Sequence, residues 1–428
     1  MDRLQSLIAI IQSRRLLFDL GQVGAATTVA NILLYLFQLV VGRSLGPEDY
    51  SLFSALFGIV YLGSNLVNSV QVSVAKLVSS ALARKDSIQA GAIVTSILLQ
   101  VVIIGGVLFV VFMLTAPSIA SYLHSNSVLP VLVTGFVILL FLWVPVTLGA
   151  LQGAQRFRAY GGVLLTFASS RLLFAIAALA ANLGTLGVLF GAGMASLVTA
   201  ITGIILVKPP IIPRRITYPG RESFLKVLPP AVIGTIAIGL PGSADLFLVR
   251  HFFPPDQAGL YAGASILGKV VLILPMAVST VLLPRFTHDR TLANTSLRLL
   301  YRGVLLTAII SGVTCMGFVL LPRIALSILL GPDYTNAANL VPLYAITMFL
   351  FSLSVVFIHY NFAAGQMTYF YFILLPHLTL QILLVYAFHQ TLSQVLIILL
   401  AAHISLLLCS YLFTWILGLQ QNRKEAEL

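Results

Sequence analysis

The sequence predicts an all-α integral membrane protein with about twelve transmembrane helices. Of its 428 residues, 59% are hydrophobic and only 8% are charged, whereas soluble domains are about half apolar and a quarter charged. The mean hydropathy of +1.04 agrees with this class. Because a bilayer core about 30 Å thick takes about 20 apolar residues per helix, twelve helices with short loops would occupy most of the chain.

Apolar runs between Gly, Pro and charged residues mark the predicted helices. Those of the first half lie at 21–41, 51–79, 90–115, 128–150, 160–182 and 184–207. Those of the second half lie at 224–250, 259–285, 302–322, 340–364, 367–389 and 393–418. The run KPPIIPRRITYPGRES at 208–223 predicts a cytoplasmic linker between an N-terminal lobe, 1–207, and a C-terminal lobe, 224–428.

Basic residues are distributed unevenly over this plan. With the N-terminus in the cytoplasm, 19 of the 24 Lys and Arg residues fall on the cytoplasmic side, while Arg43, Arg250 and Arg323 fall on the outer side. Because Lys and Arg collect in cytoplasmic loops, we expect a multi-pass protein of the plasma (inner) membrane with both termini in the cytoplasm. The net charge of +12 is thereby explained by topology, and we expect no nucleic-acid partner.

The two halves share a pattern at the end of their first helix. The first helix ends in RSLGPEDYSLF, which starts at Arg43, and the seventh in RHFFPPDQAGLY, which starts at Arg250. Each has a Pro four residues after the Arg, an Asp two residues later and then an aromatic residue. Because each half has six helices, both lobes run in the same direction. The sequence therefore predicts two parallel six-helix lobes around a central cavity, an arrangement suited to alternating access.

Two cations lie inside apolar helices, Arg171 in the fifth and Lys269 in the eighth. A cation near the midplane costs at least about 2.5–3.5 kcal/mol, so it faces a wet cavity or a partner. A phosphate group suits both, since Arg forms forked hydrogen bonds to phosphate oxygens and Lys acts as a point charge. We predict that both bind substrate. The alternative is a structural pair with Asp245, the one clear acidic candidate in the helices.

Other polar residues extend the candidate set. Along the second helix Tyr61, Asn65, Asn68 and Lys76 form a polar stripe that reaches the inner mouth. This stripe either contacts substrate or supplies hydrogen bonds between helices. The candidate substrate-binding residues are Arg171, Lys269, Lys76, Asn65, Asn68, Arg43 and Arg250.

Catalytic and metal-binding patterns are not found in the sequence. Asp245 either binds a coupling cation or pairs with Arg250, and His377 and His403 are expected to be packing residues. No H-E-x-x-H, G-x-S-x-G or P-loop pattern occurs, and the chain has only 12 carboxylates. We therefore expect a protein that is not an enzyme and that uses no cofactor or metal.

Two segments carry a resemblance to a known family. GRSLGPEDYSLFSALFGIVYL at 42–62 and GALQGAQRFRAYGGVLL at 149–165 resemble the polysaccharide-biosynthesis flippases of the multidrug/oligosaccharidyl-lipid/polysaccharide exporter superfamily. The first outer loop of that family reads R-x-L-G-P-x-x-Y-G-x-F, and Ser51 stands where Gly is usual. AGLYAGASILGKVVLILPMAVSTVLLPRF at 258–286 is similar to the eighth helix of the family.

The resemblance implies a function and partners. It implies a V-shaped pair of six-helix bundles that flips a polyprenyl-pyrophosphate-linked oligosaccharide from the inner to the outer leaflet for cell-surface polysaccharide synthesis. The implied partners are the lipid-linked glycan, membrane lipids and a glycan polymerase or glycosyltransferases. The alternative is a cation-coupled drug or metabolite exporter of the same superfamily. A membrane glycosyltransferase or glycan polymerase ranks below both.

Overall fold

The chain is built from α-helices joined by short turns, and the described residues contain no strand. The computed structural model describes the backbone at 2–208, 239, 243–288 and 293–426. Side chains are described at 21–61, 70–208, 239, 243–272, 297–362 and 364–417. Residues 209–223 of the predicted linker and residues 224–238 of the predicted seventh helix lie outside the described part.

The helices are numbered here in chain order. The first half contains α1 (Asp2–Ala83), α2 (Ser87–Tyr122), α3 (Leu129–Phe141), α4 (Val144–Gly153), α5 (Phe157–Ala180) and α6 (Gly184–Val207). The second half contains α7 (Ala244–Phe252), α8 (Pro255–His288), α9 (Ala293–Leu320), α10 (Pro322–Leu329), a 3-10 segment (Pro332–Asn339), α11 (Val341–Ala363), α12 (Met367–Ala387) and α13 (Leu392–Ala426). The ends of α6 coincide with the predicted helix 184–207.

A kink, and not a loop, separates the first two predicted helices. Both lie within α1, which is interrupted at Gly46, where φ is 72° and ψ is 172°. The residue before a proline avoids the α region, and only glycine adopts this combination of angles without strain. Gly46 followed by Pro47 therefore ends one helical stretch and starts the next without an intervening loop.

Proline also accounts for two irregular places in later helices. The predicted helix 128–150 is divided at Leu142 and Trp143, just before Pro145, into α3 and α4. In α12 a π-helical turn, Phe370–Leu374, precedes Pro376. A proline lacks the N–H that would continue the ladder, so the preceding turn is rearranged.

The contacts group the chain into two compact units. The N-terminal unit contains Met1–Ser44 and Ile59–Thr235, and the C-terminal unit contains Leu45–Gly58 and Ile236–Leu428. The boundary predicted at 208–223 assigned all of 1–207 to the N-terminal lobe, so it did not anticipate that Leu45–Gly58 groups with the C-terminal unit. In the N-terminal unit α6 packs against α3, α4 and α5. In the C-terminal unit α11 packs against α8, α9 and α13.

The outer surfaces of the helices are apolar. Nine helical segments in the described part of the chain are long and apolar enough to cross a membrane. Leu114, Val313 and Phe372 are 77%, 71% and 76% exposed, which suits contact with lipid tails but not with water. The predicted all-α integral membrane fold is confirmed.

Candidate functional site

Arg171 is a buried cation in the N-terminal unit. Its side chain, on α5, is 7% exposed. The guanidinium carbon lies 4.4 Å from the ring centroid of Phe167, one turn earlier, and 5.7 Å from that of Phe37 on α1. Attraction between a desolvated cation and an aromatic face contributes about 2 kcal/mol. The aromatic faces thus stabilise the positive charge in an apolar helix.

Lys269 is the corresponding cation of the C-terminal unit. It lies on α8, two turns after Tyr261, and its side chain is partly buried. The carboxylate of Asp245 acts on it electrostatically. Lys269 and Asp245, whose structural pairing was the alternative considered from the sequence, therefore belong to one neighbourhood.

Asp245 lies in the first turn of α7 and is 2% exposed. Its Oδ2 atom accepts hydrogen bonds from the Tyr261 hydroxyl on α8, at 2.9 Å, and from the Tyr344 hydroxyl on α11, at 2.7 Å. The two rings meet edge to face with their centroids 5.5 Å apart. Within the described residues, Oδ1 has no hydrogen-bond partner. Two neutral donors thus hold one oxygen of a buried carboxylate and leave the second available.

Sequence reasoning missed the two tyrosines. Tyr344 is 99 residues from Asp245, so no local pattern connects them. A run of small residues in α8 is the pattern that points to the cluster. A Cβ atom added at Gly268 would lie 2.2 Å from the Tyr344 ring, so α8 has a recess for this ring. A glycine inside an apolar helix indicates such a close approach.

Arg250 contacts protein atoms near the predicted outer end of α7. It is 5% exposed, and its Nη1 atom donates a hydrogen bond of 2.9 Å to Ser51 Oγ. Glu48 and Asp49 act on the guanidinium electrostatically. The hydrogen bonds to Asp245 come from the tyrosines, so Asp245 and Arg250 do not form the hydrogen-bonded pair considered from the sequence. Arg250 instead holds the segment Leu45–Gly58 within the C-terminal unit.

The remaining predicted site residues lie at exposed positions or outside the described side chains. Arg43, Tyr61 and Lys76 are exposed on α1. The side chains of Asn65 and Asn68 are outside the described part of the structure. Arg171 belongs to the N-terminal unit and Lys269 to the C-terminal unit.

The motif at 149–165 has a packing role in the N-terminal unit. A Cβ atom added at Gly149 would lie 2.5 Å from the carbonyl oxygen of Gln71, and one at Gly153 would lie 2.5 Å from that of Ala75. Small residues spaced by four let two helix backbones approach closely in a membrane. At the same contact Gln71 Nε2 donates to Gln152 Oε1 at 3.0 Å. Gln71 thus takes part in holding α1 against α4.

Comparison with solved structures places this fold among known transporters. The lipid II flippase MurJ in an inward closed conformation is 15% identical, with a TM-score of 0.75 over 92% of this chain and 87% of that chain. An inward-facing multidrug resistance MATE family transporter of the MOP superfamily is 13% identical, with a TM-score of 0.71 over 91% and 95%. A MOP superfamily transporter from Pyrococcus furiosus is 15% identical, with a TM-score of 0.62 over 93% and 93%. At these identities the likeness shows the fold alone.

Comparison of the sequence identifies the family. None of the curated proteins with which the chain was compared matches it. The sequence profile of a family described as "Polysaccharide biosynthesis protein" matches residues 20–288, which is more than half of the chain. The first outer loop and the motif at 149–165, which carried the resemblance, both lie inside this range. The chain belongs to the polysaccharide biosynthesis protein family, with the fold of the MOP superfamily transporters.

Proposed function

We propose that the protein flips a polyprenyl-pyrophosphate-linked oligosaccharide from the inner to the outer leaflet of the plasma membrane by alternating access. The family match supports a role in polysaccharide synthesis. The fold of a lipid II flippase supports a lipid-linked substrate. In this proposal the protein is a transporter and not an enzyme. A glycan polymerase or glycosyltransferases would then act on the same glycan as partners.

The observation that carries this proposal is the buried cation Arg171. A guanidinium that is 7% exposed in a membrane helix has a large desolvation cost, and aromatic faces offset part of it. A diphosphate would offset more, because its oxygens accept forked hydrogen bonds from Arg. In the same proposal Lys269 supplies a second positive charge from the C-terminal unit. Neutralising the head group lowers the cost of moving its charge through an apolar medium.

The exposed cations and the polar stripe have a secondary role in this proposal. Lys76, with Asn65 and Asn68, would receive the head group on the inner side, and Arg43 would lie near the outer exit. Arg250 was predicted to bind substrate as well. Its bond to buried Ser51 supports a structural role over direct contact.

One observation favours the alternative of a cation-coupled drug or metabolite exporter. Asp245 Oδ1 has no hydrogen-bond partner among the described residues, so it is able to receive a coupling cation. The described residues contain no cluster of three or more metal-ligating side chains that would complete such a site. A single carboxylate provides too few oxygens for an alkali cation. We therefore place the flippase first.

Export of surface glycan tests the proposal. The assay uses a host whose surface glycan depends on this protein and compares Arg171→Ala, Lys269→Ala and Lys269→Arg. We expect both alanine variants to lose export by more than about tenfold, since each removes a charge worth several kcal/mol at the head group. Lys269→Arg should retain part of the export because the charge is kept while its geometry changes.

A matched control separates loss of charge from loss of folding. Arg302 on α9 is an exposed cation, and Arg302→Ala should export normally. The amount of monodisperse protein in detergent extracts must be equal for all variants. The double alanine variant of Arg171 and Lys269 should export no less glycan than the less active single variant, because both cations act on one head group. Normal export by both single alanine variants would make the two cations structural and refute the proposed site.

A further inference from the structure

Two histidines of the C-terminal unit face each other inside the membrane-spanning helices. His377 on α12 is 8% exposed, and His403 on α13 is fully buried. Their ring centroids lie 6.1 Å apart and their planes are inclined by 33°. Each side chain was expected to be a packing residue. The structure instead places the two imidazoles beside each other.

Polar atoms without partners are concentrated at this pair. Within the described residues, no hydrogen bond reaches Nε2 of His377, either ring nitrogen of His403, or Oε1 of Gln381. Gln381 is 2% exposed and lies one turn after His377. A buried polar atom without a partner costs about 1–3 kcal/mol. Three ring nitrogens of two neighbouring imidazoles therefore call for a polar partner, which water, an ion or a proton can supply.

Ser405 determines which nitrogen of His377 carries hydrogen. The Ser405 hydroxyl donates its single proton to the carbonyl oxygen of Ala402 at 2.8 Å. Its oxygen also lies 3.4 Å from Nδ1 of His377. With the hydroxyl proton on the Ala402 carbonyl, the arrangement that satisfies both contacts has Nδ1–H as the donor. In that tautomer the neutral His377 ring presents a bare lone pair at Nε2.

Burial disfavours a charged imidazole, and the groups around the pair offset part of that cost. The Phe351 ring of α11 stacks on His403 with centroids 4.7 Å apart and an angle of 25°. An aromatic face attracts an imidazolium, as it does other cations. The Gln381 side-chain oxygen, one turn after His377 on α12, has no hydrogen-bond partner among the described residues. The site thus offers lone pairs that receive a cation and groups that stabilise it.

Among the described residues, no charged group of α7, α9 or α11 acts electrostatically on either ring. The buried polar residues of α9, Thr307 and Ser311, are uncharged. The charged residues of α7 have partners of their own, since Asp245 binds tyrosines and Arg250 binds Ser51. The titratable group that acts electrostatically on His403 is His377. A positive charge on one imidazole therefore disfavours a positive charge on the other.

Ligand chemistry distinguishes a proton from a metal ion. Imidazole nitrogens bind protons and transition metals, whereas alkali cations prefer oxygen ligands. A transition metal takes three or four protein ligands. No group of three or more His, Cys, Asp or Glu side chains occurs among the described residues. Two imidazoles and an amide oxygen suit a proton.

We propose that His377 and His403 form a single proton-binding site, in which the pair takes up one proton from water and shares it. A second proton is disfavoured, because two imidazolium charges at this separation repel each other. The proton adds to a ring nitrogen without breaking any other bond. We further infer that loading and unloading of this site drives the conformational cycle, a step that rests on the proposed transport function. The proton would then be the coupling ion.

Nitrogen-15 NMR of the full-length protein with labelled histidine tests proton binding directly. Ring nitrogen shifts are followed from about pH 9 to about pH 3, because burial disfavours the charged form of an imidazole and the range of exposed histidines is too narrow. We expect one proton equivalent to be taken up, with the signals of both rings moving together. This uptake of one proton should be lost in His377→Gln and equally in His403→Gln. His124→Asn, at an exposed position with φ of 49° that Asn tolerates, should keep it.

A milder variant keeps the test informative if those substitutions disturb folding. Ser405→Ala keeps both rings but removes the acceptor for Nδ1–H, so the tautomer signals of His377 should change while one proton is still taken up. Wild-type rings that stay neutral over the whole range would overturn the proposal, as would two rings that titrate independently. A response to zinc at equimolar concentration, lost in both Gln variants, would also overturn it in favour of a metal site.

Transport measurements separate this inference from the proposed function. In proteoliposomes an imposed pH gradient should accelerate movement of a polyprenyl-pyrophosphate-linked glycan by at least about tenfold, and His377→Gln should abolish the acceleration. Acceleration that survives in His377→Gln would overturn the coupling role. If the protein moves no such glycan but the NMR step is present, the proposed function fails and the proton site stands.

Discussion

Ser51→Ala removes the hydroxyl that accepts the hydrogen bond of Arg250. Both side chains are buried, at 1% and 5% exposed, and the Nη1 to Oγ distance is 2.9 Å. The hydroxyl in turn donates to the carbonyl oxygen of Glu48. Alanine leaves a buried guanidinium N–H without this acceptor. The electrostatic attraction of Glu48 and Asp49 remains, so the change removes one charged hydrogen bond together with the local bond to Glu48.

The magnitude follows from the charge of the donor. A hydrogen bond to a charged group contributes about 1.5–3 kcal/mol, whereas one between neutral groups contributes about 0.5–1.5 kcal/mol. Ser51→Ala should therefore lower the ratio of folded to unfolded protein at equilibrium by about 10- to 150-fold. Ser54 is a matched control one turn later, since it is also buried and its hydroxyl donates only to the carbonyl oxygen of Ser51. Ser54→Ala should cost no more than the neutral value.

Denaturant titration of the purified protein in mixed micelles, followed by circular dichroism, measures both changes. A double-mutant cycle with Arg250→Met gives the coupling energy between the two side chains, which should also be about 1.5–3 kcal/mol. If Ser51→Ala costs no more than Ser54→Ala, or if the cycle gives no coupling, Arg250 does not hold the segment Leu45–Gly58 in the way described.

Three further substitutions test the helix contacts and the orientation. Gly149→Ala should lower the yield of folded protein, because the new Cβ would lie 2.5 Å from a carbonyl oxygen of α1. Gly162 has open space around it, so Gly162→Ala should keep the yield. Gel filtration of detergent extracts compares the two variants. Tyr344→Phe removes one of two hydrogen-bond donors to buried Asp245 and should destabilise the protein by about 1.5–3 kcal/mol in the same denaturant titration. An unchanged midpoint would contradict the hydrogen bond between Tyr344 and Asp245. A cysteine placed at Thr217, in a variant without the native cysteines, should resist an impermeant thiol reagent added to intact cells, and labelling from outside would refute the predicted orientation.

Helix positions were predictable where composition changes sharply. Gly184 and Val207 bound α6 as predicted, because a turn precedes an uninterrupted apolar run that ends at a Lys. The kink at Gly46 was read as a loop, since Gly followed by Pro is typical of both. Only contacts with the rest of the chain decide between a kink and a loop. The grouping of Leu45–Gly58 with the C-terminal unit depends on such contacts and has no local pattern.

Single buried charges were also readable from the sequence, because a cation in an apolar helix is conspicuous. Arg171 and Lys269 were found in this way, and the structure adds the aromatic faces around Arg171. The tyrosine donors to Asp245 were missed because they lie on other helices. His377 and His403 look like packing residues one at a time. Their proximity and their unpartnered nitrogens appear only when α12 and α13 are placed side by side.

Flipping by purified protein tests the proposed transport most directly. The protein is reconstituted into liposomes that carry a polyprenyl-pyrophosphate-linked glycan, and an impermeant reagent that modifies the glycan reports its arrival in the outer leaflet. Wild-type protein should accelerate this arrival, Lys269→Ala should lose the acceleration by more than about tenfold, and a carrier without the pyrophosphate should move poorly. Equal rates for wild type and Lys269→Ala, or equal rates with and without the pyrophosphate, would contradict a head group held by Arg171 and Lys269.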